Sequence, residues 1–433
     1  MLLFKRAKRM QILFCLCFLQ PLWLCAQEIP VVDTMKVSLQ QVEKIFLDSN
    51  LQLLAEHYNI KSASALVDQA KKWDNPLLIT DQNVYTNRRF FHHGNTQNGV
   101  EDGQFFVQIE QLIKTAGKRG KQVAMANTNV SIAEWQFKSV MRSLRAALVK
   151  DFYNIAQLRG NALLYNNNME RLLRLEAGME KELAAGNIAR KEYVRVEALI
   201  IVLRHDMIDN EKDLSDAESE LKTLLQMPRN VFIVPDVENL EPAADVKMNL
   251  LTLLDSARAN NPDYMQQVYE LQYNKQNVRL QKALAVPDLT VGPEFDQSSN
   301  YTSNYYGLTL SLPLPIFDRN KGNIRSAGYL VQREEALLKQ ADVKLQNDVM
   351  NAYHKLLLNI NLSNDADTCF YKDYYDLFNN IIESYNKRQI SMIEFLEYFT
   401  DYQEVRKNQL KQVYNLRMSK EELNEAVGID VVK

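Results

Sequence analysis

Four groups of residues in this chain of 433 have types and spacings that could do chemistry. Gly117-Lys118-Arg119-Gly120-Lys121 could cradle a phosphate with backbone N–H groups and lysine charge. It lacks the Walker spacing and the Ser or Thr that must follow, and no βαβ unit surrounds it, so a basic turn between a strand and a helix is the better reading. His92-His93 could ligate a metal, but the pair sits in a Gly- and Asn-rich stretch that reads as an exposed loop. Cys369 has no histidine placed to activate it and reads as a small buried hydrophobe. Glu394 and Glu397, three residues apart, share one helical face, and by residue type alone they are solvated helix carboxylates. No catalytic arrangement, cofactor or metal site is expected.

The stretch that positions everything else is Tyr305–Ala327, YYGLTLSLPLPIFDRNKGNIRSA. Leu308, Leu310 and Leu312 alternate with Gly307, Thr309 and Ser311, which is a strand with one apolar and one small or polar face. Pro313 and Pro315 end it, and a helical pattern then runs from Ile324 for about sixty residues. Three more strands are expected at Leu77–Tyr85, Gln104–Ile113 and Asp288–Gln297. All are near the length that crosses a membrane when tilted. Four strands cannot close a membrane barrel, and open edges are not tolerated in lipid, so several chains would have to pool them. A small soluble sheet capping a helical bundle is the alternative.

The strands recur within a duplication. Leu39 and Leu250, Asn50 and Asn261, and Pro76 and Pro287 are each 211 residues apart. Beyond the strands Gly120 pairs with Gly322, Ile188 with Ile390, Glu192 with Glu394 and Leu221 with Leu423, all at 202. Each copy reads as short helix, strand, loop, strand, long helix, turn, long helix. Residues 27–227 form the first repeat, 228–248 a linker rich in proline, and 249–433 the second. Stripes such as Leu172, Leu175, Met179 and Leu183 mark packed antiparallel hairpins. The helix after Gly120 is expected to reach Ala185, approaching about 100 Å.

Scarce Gly (13) and Pro (11) agree with long uninterrupted elements. Residues 1–26 read as a secretory signal: Lys5, Arg6, Lys8 and Arg9 precede an apolar core, and Leu24-Cys25-Ala26 precedes a cleavage point. Lipid attachment at Cys25 is an alternative that the bulk of Leu24 disfavours. Losing those four cations takes the formal charge from −3 to −7, against a nucleic-acid partner. Only Cys369 would remain, leaving no intrachain disulfide, and no later stretch is apolar enough for a membrane-spanning helix.

From Ser38 to Ile429 the chain resembles TolC-like outer-membrane efflux proteins, the channel component of tripartite resistance-nodulation-division systems. The resemblance is carried by LPLPIFDRNKGNI at 312–324, the matching Ile113–Lys121, the paired tips at 186–193 and 388–397, and the duplication. It implies a mainly α chain of long hairpins forming an α-barrel, with three chains pooling four strands each in a shared 12-stranded transmembrane β-barrel. It implies a homotrimer in the outer membrane of a Gram-negative bacterium, reaching into the periplasm. The duct would be passive, docked by a periplasmic adaptor and driven by an inner-membrane pump. The tip residues Gly186, Asn187, Ile188, Arg388, Gln389 and Ile390 would meet the adaptor. Glu394 and Glu397 would ring a narrow aperture, with Tyr385 held by Glu192 of a neighbouring hairpin. Arg388 departs from the glycine the family commonly has there. The alternative functions are a type I secretion duct and a non-channel periplasmic coiled-coil scaffold.

Overall fold

The computed structural model of the chain describes residues 33–86, 88–91, 94–95, 101–228, 230–236, 249–364 and 368–432. The expected signal, His92-His93, the Cys369 side chain and most of the 228–248 linker lie outside what is described.

Strand β1 (Asp33–Val37) leads into α1 (Leu39–Ser49) and α2 (Leu51–Ala70). Ser38 and Gln41 form a capping box at the start of α1. The single short helix expected here is therefore followed at once by a second, because Asn50 ends one and caps the next through Leu53 N–H at 3.0 Å. β2 (Leu77–Gln82) and β3 (Phe105–Ile113) follow, then α3 (Lys118–Ala184) and α4 (Arg190–Leu225). The 67 residues of α3 make a rod of about 100 Å. Inside the stretch expected to be only a linker, Val231–Pro235 forms β4, which pairs in parallel with β1. The second half runs α5 (Leu250–Asn260), α6 (Pro262–Leu284), β5 (Leu289–Ser298), β6 (Ser303–Ser311), α7 (Lys321–Asn364), α8 (Thr368–Asn386) and α9 (Met392–Val427).

Asparagine does the same work in each half. Asn50 donates to the Leu224 carbonyl and Asn261 to the Ala426 carbonyl, both at 2.9 Å, so each helix cap also ties down the far end of its own hairpin. The apolar core lies in three clusters along the rod. One joins α1, α3, α4 and β4 around Phe46 and Phe152. A second joins α5, α7 and α9 around Leu356 and Leu423. The third, at the hairpin tips, joins α3, α4, α8 and α9 around Leu172, Leu203, Phe395 and Phe399.

The sheet has the order β6-β5-β3-β2 and is antiparallel throughout, with β2 and β6 at its two edges. Register puts Leu78 beside Ile109, Val107 beside Phe295, Phe295 beside Tyr306, Pro293 beside Leu308 and Val291 beside Leu310. That whole face is dominated by apolar side chains, and Leu308 and Leu310 are 63% and 64% exposed on it. The opposite face carries Gln108, Glu110, Glu294, Asp296 and Thr309, with Leu77, Ile79 and Phe106 among them. Gly307 is required there by closeness, since a Cβ would collide with the Glu294 carboxylate and the Tyr305 ring.

Candidate functional site

Two places gather the sequence-predicted residues: the strand-to-helix junction and the hairpin tips. At the junction, Lys118 is buried and its Nζ donates to the Val286 carbonyl and to Asp288 Oδ1, both at 2.6 Å. A lysine committed this way pins the start of α3 to β5 and is not free to bind phosphate. Its neighbour Arg119 lies 4.1 Å from the centre of the Trp73 ring.

At the tips, both hairpins turn by the same set of bonds. In the first, Ala185 N–H donates to Lys181, Gly186 N–H to Leu183 and Asn187 N–H to Glu182. In the second, Lys387 donates to Glu383, Arg388 to Tyr385 and Gln389 to Ser384. Each turn needs a left-handed residue, and Gly186 (φ +73°) and Arg388 (φ +57°) supply it. Arginine in that region costs about 1 kcal/mol that glycine does not. Its guanidinium reaches across to Glu182 of the first tip at 3.5 Å, a contact that spacing along either helix does not reveal.

Between the tips lies a notch of about 1110 Å³ lined by Gly186, Asn187, Ile188, Glu192, Tyr385, Arg388 and Ile390 among others. Gly186, Asn187, Arg388 and Gln389 are exposed, whereas Ile188 and Ile390 are half-buried against the tip core. Tyr385 packs 5.3 Å from Phe395, ring centre to ring centre, and its hydroxyl hydrogen-bonds the Glu192 carboxylate of the opposite hairpin of the same chain. Burial first, then the charge of Glu192 and the hydrogen bond to it, push the phenol up to about 12.

Glu394 and Glu397 do not line this notch. They stand exposed on α9, on the side away from the buried Met392, Phe395 and Phe399. Glu394 Oε2 accepts from Ser391 N–H at 2.7 Å, while Ser391 Oγ accepts from Glu394 N–H at 3.3 Å. This capping box holds the Glu394 carboxyl below its ordinary value, the Ser391 backbone N–H contributing most. The Ser-x-x-Glu signature was present in the sequence and signals this role. Among the described residues no cluster of His, Cys, Asp or Glu could hold a metal, and no helix is long and apolar enough to cross a membrane.

Long helical hairpins below a two-faced sheet with open edges define an outer-membrane channel fold. The chain superposes on the Campylobacter jejuni CmeC outer membrane channel with a TM-score of 0.73, over 91% of this chain and 87% of that one, at 14% identity. A family model described as "Outer membrane efflux protein" matches residues 44–225 and 253–368, and the chain belongs to that family. It is therefore a protein of the bacterial outer membrane. It is 22% identical over 300 residues to the cobalt-zinc-cadmium resistance protein CzcC of Cupriavidus metallidurans, covering 67% of this chain and 66% of that protein. It is 26% identical over 208 residues to the pyoverdine export outer membrane protein OpmQ of Pseudomonas putida, covering 46% of this chain. The chain thus matches about two thirds of the length of the first relative and 40% of the second.

Proposed function

We propose that the chain is one of three identical subunits of a passive outer-membrane exit duct. The observation that carries this reading is the sheet. Its apolar face suits lipid, its other face suits water, and among the described residues no strand pairs with the outer edge of β2 or of β6. Hydrocarbon does not tolerate such edges, so pooling strands with further copies of the chain is the physical solution. A periplasmic scaffold needs no such sheet. Protein purified from the outer-membrane fraction in detergent should have the mass of three chains, and a monomer in the soluble periplasmic fraction would refute the reading. Leu310→Arg, on the lipid-side face, should cost about 2–4 kcal/mol per chain and reduce assembled trimer more than Thr309→Arg does.

The repeat boundaries, the periplasmic adaptor at the exposed tip residues, and an inner-membrane resistance-nodulation-division pump as energy source belong to the same proposal. CzcC is named for metal resistance and OpmQ for pyoverdine export, so cargo is best assigned to the pump. Around a threefold axis, exposed Glu394 and Glu397 would repeat three times each and attract cations to the aperture. Glu394→Gln with Glu397→Gln should weaken cation selectivity in single-channel recordings. Unchanged selectivity would place the aperture elsewhere and leave Glu394 as a helix cap only.

A further inference from the structure

About 25 Å along α3 from its tip, a groove of about 510 Å³ opens between α3, α8 and α9. Asn168 and Arg171 reach it from α3, Tyr371 and Tyr375 from α8, and Tyr402 and Arg406 from α9. Among the described residues no carboxylate lines it. Elsewhere the half-buried arginines meet acids: Arg145 contacts Glu43, Glu421 and Asp430, and Arg159 contacts Glu218. Among the described residues neither Arg171 nor Arg406 has an acidic partner within ion-pair distance. Arg171 lies over the Phe378 ring at 5.4 Å, and Arg406 donates to Gln409 and to the Tyr402 hydroxyl.

The third donor is the most telling. Asn168 is 1% exposed, and among the described residues its Nδ2 has no hydrogen-bond partner. A buried amide left without an acceptor costs about 1–3 kcal/mol, so an acceptor seated in the groove would relieve it. The Asn168 Nδ2 and the two guanidinium groups are donors, the guanidiniums carry positive charge, and guanidinium groups are suited to paired oxygens. The tyrosine rings and the flanking leucines supply an apolar bed, and the volume is that of a site for a small organic molecule.

We propose that this groove binds an organic anion, a carboxylate or sulfonate on a flat apolar body. Its oxygens would lie between Arg171 and Arg406 within reach of the Asn168 amide, and its body against Tyr371, Tyr375 and Tyr402. The site stands on these side chains alone and does not require the duct reading, because binding is measured without transport.

Calorimetric titration of the purified full chain in detergent tests it, using three probes: 1-naphthoate, 1-naphthylmethylammonium with the same ring and opposite charge, and inorganic phosphate with charge but no ring. The expected result is saturable uptake of one naphthoate per chain, with each of the other probes at least ten-fold weaker. That comparison uses the wild-type protein and needs no variant to fold. Arg171→Gln with Arg406→Gln should weaken naphthoate at least ten-fold, and Asn168→Leu several-fold. Arg174→Gln, one turn along α3 and outside the groove, should leave it unchanged. Naphthoate and the ammonium binding equally, phosphate binding as tightly as naphthoate, wild-type affinity in the double variant, or no saturable heat at all would each overturn the proposal.

Discussion

The first tip and the second share one backbone turn, bond for bond, yet equivalent glutamates do different work in them. Glu192 and Glu394 each stand three residues past the N-cap of their helix. At the second tip that N-cap is Ser391, and the reciprocal pair of bonds draws Glu394 back onto its own helix. At the first tip the N-cap is Ala189, which has no oxygen to offer and makes no side-chain cap. Glu192 is then free to reach outward, and it takes the hydroxyl of Tyr385 from the other hairpin. One side chain, hydroxymethyl or methyl, separates a glutamate that caps from a glutamate that latches. The difference shows how a duplicated chain can acquire an asymmetric contact without changing its backbone.

The tips also differ in what lies beneath them. Phe395 and Phe399 under the second are fully buried, with ring centres 6.2 Å apart, and Phe378 stacks on Tyr402 at 3.7 Å. The first rests on aliphatic Val196, Ile200 and Leu203. The largest expected effect is therefore Phe395→Ala, at about 3–5 kcal/mol. Val196→Ala, equally buried, should cost about 2 kcal/mol. Denaturant midpoints followed by helical signal compare them. Equal losses would show that the second tip collapses around the missing ring and that the two tips do not differ in the strength of their cores.

Exchanging the two N-caps sharpens the contrast directly. Ser391→Ala should destabilise α9 by about 1 kcal/mol, and Ala189→Ser should stabilise α4 by a similar amount. Ala189→Ser should also draw Glu192 toward its own helix N-terminus and so away from Tyr385. Hydrogen exchange at the first turns of α4 and α9 reads both. If protection at the first turn of α4 does not rise in Ala189→Ser, the N-cap is not what distinguishes the tips.

The parts of this architecture that were legible in the sequence rest on local periodicity. Alternation at Leu308 and Leu310 predicts the strand and its apolar face, although Leu312 falls just past the end of β6, and the helix ends at Ala184, within a residue of where its pattern breaks. The β1–β4 pair was not legible, because it joins segments far apart in the chain and one of them hides among prolines. Nor was the break at Asn50, where one residue both ends and starts a helix. Family resemblance implies an aperture role for Glu394, which belongs to the assembly, while its Ser-x-x-Glu motif signals the cap seen within one chain. Spacing tells which side chains share a helical face but not which helix that face will meet. Arg171 and Arg406 therefore look like ordinary solvated charges until α3 and α9 are brought together, and Arg388 reaches Glu182 only because two hairpins dock.

The smallest effect should come from removing the latch hydroxyl. An ordinary phenol ionises near 10, whereas Tyr385 is held neutral to about 12 by burial and by the adjacent Glu192 carboxylate. Below pH 10 the side chain is neutral in folded and unfolded chains alike, so its contribution to stability is fully present and flat. Between pH 10 and 12 the unfolded chain releases the proton and the folded chain keeps it. That contribution is therefore lost as pH rises through this window. Tyr385→Phe keeps the ring against Phe395, gives up only the hydrogen bond to Glu192, and should reduce stability slightly at neutral pH while showing a shallower decline above pH 10. Difference titration of tyrosinate absorbance, wild type minus variant, should show one phenol ionising near 12. In the Ala189→Ser background the same phenol should move back toward 10. If it ionises near 10 in the wild type, Glu192 and Tyr385 are not joined and the two tips differ only in their caps.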